Sequence, residues 1–152
     1  MSALELKLPP PLVTVLVALL IYGGQRMTPS SLSVSIAPGW ALLPLGVSLL
    51  LAVMAVAHFF KAGTTVHPHC PEKSSSLVAH GIYRYSRNPM YLALLLMLVA
   101  WSLYLGWLLA PLGWALFVFW ITRFQILPEE RTLTRLFEDE YRAYCQRVRR
   151  WL

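Results

Sequence analysis

MYLALLLMLVAWSLYLGWLLAPLGWALFVFWI, running from Met90 to Ile121, contains no charged residue. As a single α-helix at ~1.5 Å per residue it would extend roughly 48 Å, well past a ~30 Å hydrocarbon core. Gly106, Pro111 and Gly113 interrupt it near the middle. The stretch therefore predicts two tightly connected membrane helices, about 89–105 and 109–127. Each is slightly short, so tilt or local thinning of the bilayer is expected. We read the fold as all-α.

Two more apolar runs precede this hairpin. The first covers 12–22, with Pro9, Pro10 and Pro11 before it and Gly23-Gly24 after. A signal peptide is the competing assignment, but only Lys7 precedes the run and no small-x-small site follows it. The second covers 39–60, long enough to cross, with Pro44 inside it as a tolerated kink. The chain of 152 residues is 57% hydrophobic and 13% charged, far from a soluble composition. We expect one domain over 1–152, a polytopic membrane helical bundle with about four transmembrane helices and a C-terminal amphipathic cytoplasmic helix. That last helix is placed at 128–150. Leu133, Leu136, Phe137, Tyr141, Tyr144, Val148 and Trp151 form its apolar stripe, and arginines fill much of the rest. Such a helix can lie among headgroups or fold over the bundle. Pro128 suits its first turn, with Glu129 and Glu130 at the positive end of its dipole.

Four spans put the N-terminus, the loop 61–88 and the tail on one side, and that side holds every Lys and Arg except Arg26. The positive-inside bias makes it cytoplasmic. The expected location is the cytoplasmic membrane of a prokaryote, with multiple passes and both termini inside. The net charge of +6 flanks apolar segments, so membrane lipid rather than nucleic acid is the expected partner. Cys70 and Cys145 fall on the same side and are expected as reduced thiols. Oligomeric state is left open.

Polar residues crowd the two mouths of the hairpin. His67-Pro68-His69-Cys70 has no second ligand pair near it, so no metal is expected. Glu129 and Glu130 follow a span directly, on the membrane face that carries His80, Arg84 and Arg87. Their bland role is that of helix N-terminal acids; their functional role is to accept hydrogen bonds from hydroxyls or ammonium. Arg84 and Tyr85 suit ordinary interfacial positions. Arg87, at the mouth of the third span, could grip a carboxylate bidentately. Arg123 lies in the last turns of the final span, where it either snorkels to the interface or acts in a site. Gln125 carries a weaker version of the same choice.

Leu77-Val78-x-His80-Gly81-x-Tyr83-Arg84-x-x-Arg87-Asn88-Pro89-x-Tyr91-Leu92, a helical hairpin, then Arg123, Pro128-Glu129-Glu130, Leu133, Phe137 and Tyr141 form an ordered pattern. It resembles the isoprenylcysteine carboxyl methyltransferase family and the wider group of membrane methyltransferases that includes phospholipid N-methyltransferases. The resemblance covers roughly 60–152. It implies an S-adenosyl-L-methionine-dependent membrane methyltransferase, releasing S-adenosyl-L-homocysteine, with no Rossmann domain. By resemblance Leu77, Val78, His80, Gly81, Tyr83, Arg87, Asn88, Pro89, Tyr91, Glu129 and Glu130 would line the cofactor pocket. The family often has Arg-His-Pro where this chain has Arg87-Asn88-Pro89, and Asn cannot titrate near neutral pH. The acceptor implied is apolar or lipid-linked, of the prenylcysteine carboxylate type, with Arg123 orienting it. An amine or thiol acceptor would need a base, for which Glu130, His80 or a Tyr is available. A small membrane subunit that binds anionic lipid is the non-enzymatic alternative, which the paired acids fit poorly.

Overall fold

The computed structural model describes residues 5–61, 77 and 79–152. The His67–Cys70 cluster, Val78 and most of the loop 61–88 lie outside them. Among the described residues the architecture is helical, with one isolated β-bridge and no strand. Helix α1 covers Pro10–Met27, α2 Leu42–Lys61, α3 Pro89–Leu105, α4 Ala110–Ile121 and α5 Leu127–Arg147. Three apolar helical stretches, Pro10–Met27, Pro38–His58 and Ala110–Arg147, are long enough to cross a membrane, and α3 is apolar but shorter. The expected all-α membrane bundle is the observed one.

Helix α1 is longer than 12–22 at both ends. It opens with proline in its first turn, where a missing N–H costs nothing, and it continues through Gly23-Gly24. Gly24 marks a close approach rather than a stop: a Cβ there would lie 2.4 Å from the Trp107 ring. Pro44 falls in the first turn of α2, so it produces no mid-span kink. Helix α3 matches the expected 89–105 and ends on Gly106 in the left-handed region, φ 65°. Gly113, expected in the turn, lies inside α4 against Val17 and Ile21 of α1, where a Cβ would sit 2.7 Å from Ile21 Cγ1.

The expected break at Pro128 is corrected. Helix α4 passes without a loop through one π-helical turn, Thr122–Ile126, into α5. Pro128 has no N–H for the carbonyl four residues back, and its ring crowds that carbonyl, so the helix widens there. The carbonyl in question, that of Phe124, accepts instead from Leu6 N–H at 3.0 Å. Glu129 and Glu130 therefore do not sit on an open helix terminus. Apolar character ends at Leu127, and we take 110–127 as the spanning part. Helix α5 breaks its backbone at Glu138 (φ 38°, ψ −112°) and ends at Arg147 rather than at 150.

The central helix is α3, which packs on α1, α2 and α4. Val13, Val17 and Ile21 of α1 meet Leu98 of α3 and Phe117 and Ile121 of α4 in the main core. Buried polar groups in the core tie the helices together: Ser48 Oγ donates to the Ala93 carbonyl at 2.7 Å and Trp114 Nε1 to Ser102 Oγ at 2.9 Å. One end of the bundle is tied by the bridge between Ser33 and Trp107, flanked by Val34 N–H on the Gly106 carbonyl at 2.7 Å. At the other end a second cluster joins Ala55 of α2, Ile82 and Tyr83 to Tyr141, Tyr144 and Val148. The amphipathic tail thus folds over the bundle, and of its stripe only Leu136 stays substantially exposed.

Gly106→Ala should destabilise the protein by about 1–2 kcal/mol or more, the cost of a left-handed alanine. The added Cβ would also fall 2.0 Å from the Val34 carbonyl. Gly23→Ala, inside α1, meets nothing within 4 Å and should keep or raise stability, by up to about 1 kcal/mol. Thermal unfolding of both variants in detergent checks this.

Candidate active site

Why the polar residues meet follows from the topology. The start of α3, the start of α5 and the chain's last residues share one end of the bundle. A 3-10 turn, Gly81–Arg84, leads into α3. Gly81 adopts φ 62°, and a Cβ there would lie 1.8 Å from His58 Nε2, so the turn packs directly on the end of α2. His58 Nδ1 donates to the Met54 carbonyl at 2.7 Å, and Nε2 faces that turn. The His80 and Tyr83 rings lie 5.7 and 6.4 Å from the His58 ring. Tyr144 OH donates to the Tyr83 carbonyl at 2.7 Å and locks the turn against α5. Burial raises the pKa of both tyrosines well above the ordinary phenol value.

Two carboxyl–partner pairs join α3 to α5. Tyr91 OH donates to Glu129 Oε1 at 2.5 Å. Arg87 Nη2 lies 3.2 Å from Glu130 Oε1, and Arg150 grips the same carboxylate bidentately, Nε to Oε1 at 2.9 Å and Nη2 to Oε2 at 2.8 Å. Arg87 Nη1 donates to the Cys145 sulfur, and Arg87 Nε is buried with no partner among the described residues. Asn88, in the position where histidine was expected, spends its Nδ2 on the Arg150 carbonyl at 2.9 Å. Pro89 is buried in the first turn of α3. Leu77 packs on the Tyr83–Tyr144 cluster, while His80 is exposed. Arg84 and Tyr85 are exposed, as ordinary interfacial residues are.

Glu129 lies just beyond the spanning part of its helix. Burial is the main influence on its carboxyl, and the Glu130 charge adds to it; the Tyr91 hydrogen bond opposes them. The result is a pKa pushed up to about 8, so the group is largely protonated at neutral pH. Glu129 and Glu130 are adjacent in sequence yet differ in state: one is held near neutral charge, the other is the anion of an ion-pair triad.

Arg123 does not join this constellation. Its Nη1 lies 3.3 Å from Glu5 Oε1, and Arg131 reaches the other oxygen of Glu5 at 2.8 Å. In a regular helix Arg123 and Glu130, seven residues apart, would share a face. The π turn adds nearly one residue of rotation, so it is Arg131 that lines up with Arg123, and both meet Glu5. Gln125 is buried and donates to the Leu8 carbonyl at 2.6 Å, a structural link to the N-terminal segment. Three contributors to the site were missed in sequence, His58, Cys145 and Arg150, and so was Glu5, the anchor of Arg123 and Arg131. Arg150 looked like one more basic tail residue, and only its position next to Trp151, an aromatic at the end of the apolar stripe, hinted at docking.

A family model described as "Phospholipid methyltransferase" matches residues 34–140, well over half of the chain. The chain belongs to the phospholipid methyltransferase family. The match contains the first motif, the hairpin and the paired acids, and stops short of Arg150. Over 63 residues the chain is also similar, at 57% identity, to an "Uncharacterized protein" of Haemophilus influenzae; those residues are 41% of this chain and all of that protein. No solved structure matches. Family membership gives the coarse class, a membrane methyltransferase.

A protonated Glu129 should give a carboxylic C=O infrared band at pH 7 that titrates away through about pH 8. The band should be missing from Glu129→Gln. A spectrum without that difference at neutral pH would show that Glu129 is ionised.

Proposed function

We propose that this protein transfers a methyl group from S-adenosylmethionine to a lipid-like acceptor, at the end of the bundle that holds Arg87, Tyr91, Glu129 and Glu130. The observation that carries it is the joining of the two separated motifs, Tyr91 to Glu129 and Arg87 to Glu130, across α3 and α5. The donor set fits such a cofactor. Among the described residues Arg87 Nε is a buried donor without an acceptor, which suits a carboxylate. Glu129 is partly accessible and, as a protonated carboxyl, suits a hydroxyl, and the tyrosine rings offer flat apolar faces.

When bound, the sulfonium of that cofactor supplies an already activated methyl group. The protein's own work is to align the acceptor and exclude water, effects that contribute several kcal/mol. The acceptor atom divides two readings. A prenylcysteine-type carboxylate needs a cation to orient it, and Arg123 is engaged with Glu5 instead. An amine needs to lose a proton, and Glu129, beside Tyr91 and held near pH 8, is matched to take it. The geometry therefore favours the amine of a phospholipid over a carboxylate or a small thiol. By the distribution of lysine and arginine we place the site and both termini on the cytoplasmic face of the membrane.

Calorimetry of the detergent-purified protein with S-adenosylhomocysteine tests the cofactor, and absence of binding by folded wild type would end the proposal. Glu129→Gln should cut turnover of a phospholipid amine by about 10²-fold or more. Because the base acts when ionised, wild-type turnover should rise with pH up to about 8 and then level. Arg123→Ala should bind S-adenosylhomocysteine and retain amine transfer. Loss of that transfer would return Arg123 to the mechanism.

A further inference from the structure

Arg149, Arg150 and Trp151 are held at the candidate site by more than one kind of bond. Arg87 N–H donates to the Arg149 carbonyl at 3.0 Å, and Asn88 Nδ2 to the Arg150 carbonyl. Trp151 Nε1 donates to Thr122 Oγ1 at 3.2 Å. The Arg150 side chain then takes both oxygens of Glu130. Backbone clasps on either side of an arginine fix where its guanidinium can go, so Arg150 is ordered in advance rather than trailing in solvent.

The charge there does not close. Two guanidiniums, Arg87 and Arg150, share one carboxylate, and the cluster keeps one net positive charge. Cys145 adds a weak acceptor, and the neighbouring Glu129 is turned to Tyr91. Among the described residues two donors are also left over: Arg87 Nε is buried without a partner, and Arg150 Nη1 has none while its side chain is about one-third exposed. Extra positive charge together with spare donors on planar forks is the arrangement that recognises a carboxylate.

We propose that Arg150, bridged to Arg87 through Glu130, is a specificity-determining residue that binds the carboxylate at the amino-acid end of the methyl donor. This rests on the methyltransferase reading above. It adds to that reading the C-terminal strap as a wall of the pocket, with Glu130 as the anion that holds two cations side by side rather than as a base. Glu130 keeps the guanidiniums from repelling each other, and the ligand carboxylate neutralises the charge that remains.

The test compares S-adenosylhomocysteine with its decarboxylated analogue, which lacks only that carboxylate, by calorimetry on the full-length protein in detergent. Wild type should prefer S-adenosylhomocysteine by about tenfold or more. Arg150→Gln should erase the preference while binding the decarboxylated analogue within about twofold of wild type, which also shows that the variant is folded. Arg150→Lys keeps the charge but loses the fork, and should retain only part of the preference. A preference that survives unchanged in Arg150→Gln, or a wild type that binds both ligands equally, overturns the assignment and leaves the methyltransferase reading intact. A wild type that binds neither ligand removes both.

Discussion

Glu130 is one carboxylate held between two guanidiniums, and the three residues come from distant parts of the chain: the mouth of α3, the start of α5 and the C-terminus. Arg87 and Glu130 are largely withdrawn from solvent, at 12% and 16% side-chain exposure, so each depends on the others for charge compensation. Removing one member of such a cluster leaves a poorly solvated charge behind, a loss of about 3–5 kcal/mol where burial is complete and less here because Arg150 is one-third exposed. The triad sets how far α5 can stray from α3, and through Asn88 and Arg149 it fixes the strap as well. Tyr91 meets Glu129 because this clamp holds the two helices in register.

The second constraint is Pro128. A proline inside a long helix must give up one backbone bond, and here the freed Phe124 carbonyl is taken by Leu6 N–H. The accompanying π turn rotates everything downstream by roughly one residue, about 100° around the axis. Glu130 consequently turns toward Arg87 and Arg150, and Arg131 turns toward Glu5, where it meets Arg123. One imino acid thus separates a candidate chemical cluster from an anchoring cluster for the N-terminal segment. Had the helix stayed regular, Arg123 and Glu130 would have faced the same way.

Much of the bundle was legible in one dimension. The uncharged stretch from Met90 to Ile121 is too long for one crossing and carries glycine and proline at its midpoint, and Gly106 does close α3 in the left-handed region. The apolar stripe of the tail announced that α5 would bury Tyr141 and Tyr144. Local chemistry misled where a residue had two uses. Gly24 and Gly113 looked like punctuation, yet they thin the helices so that Trp107 and Ile21 can approach. Pro128 looked like a helix start because a proline at a first turn and a proline over a π turn have the same neighbours in sequence.

By itself, the sequence determined the helical membrane class, the hairpin, and the presence of polar motifs at one end, since these follow from hydropathy, length and charge bias along the chain. The tertiary structure alone decided the pairing: Tyr91 with Glu129, Arg87 and Arg150 with Glu130, Arg123 and Arg131 with Glu5. Which arginine meets which acid depends on helix rotation and on where a tail returns. A single π turn changes the first, and packing of Trp151 and the Tyr144 cluster settles the second. Neither leaves a periodic trace in the order of residues.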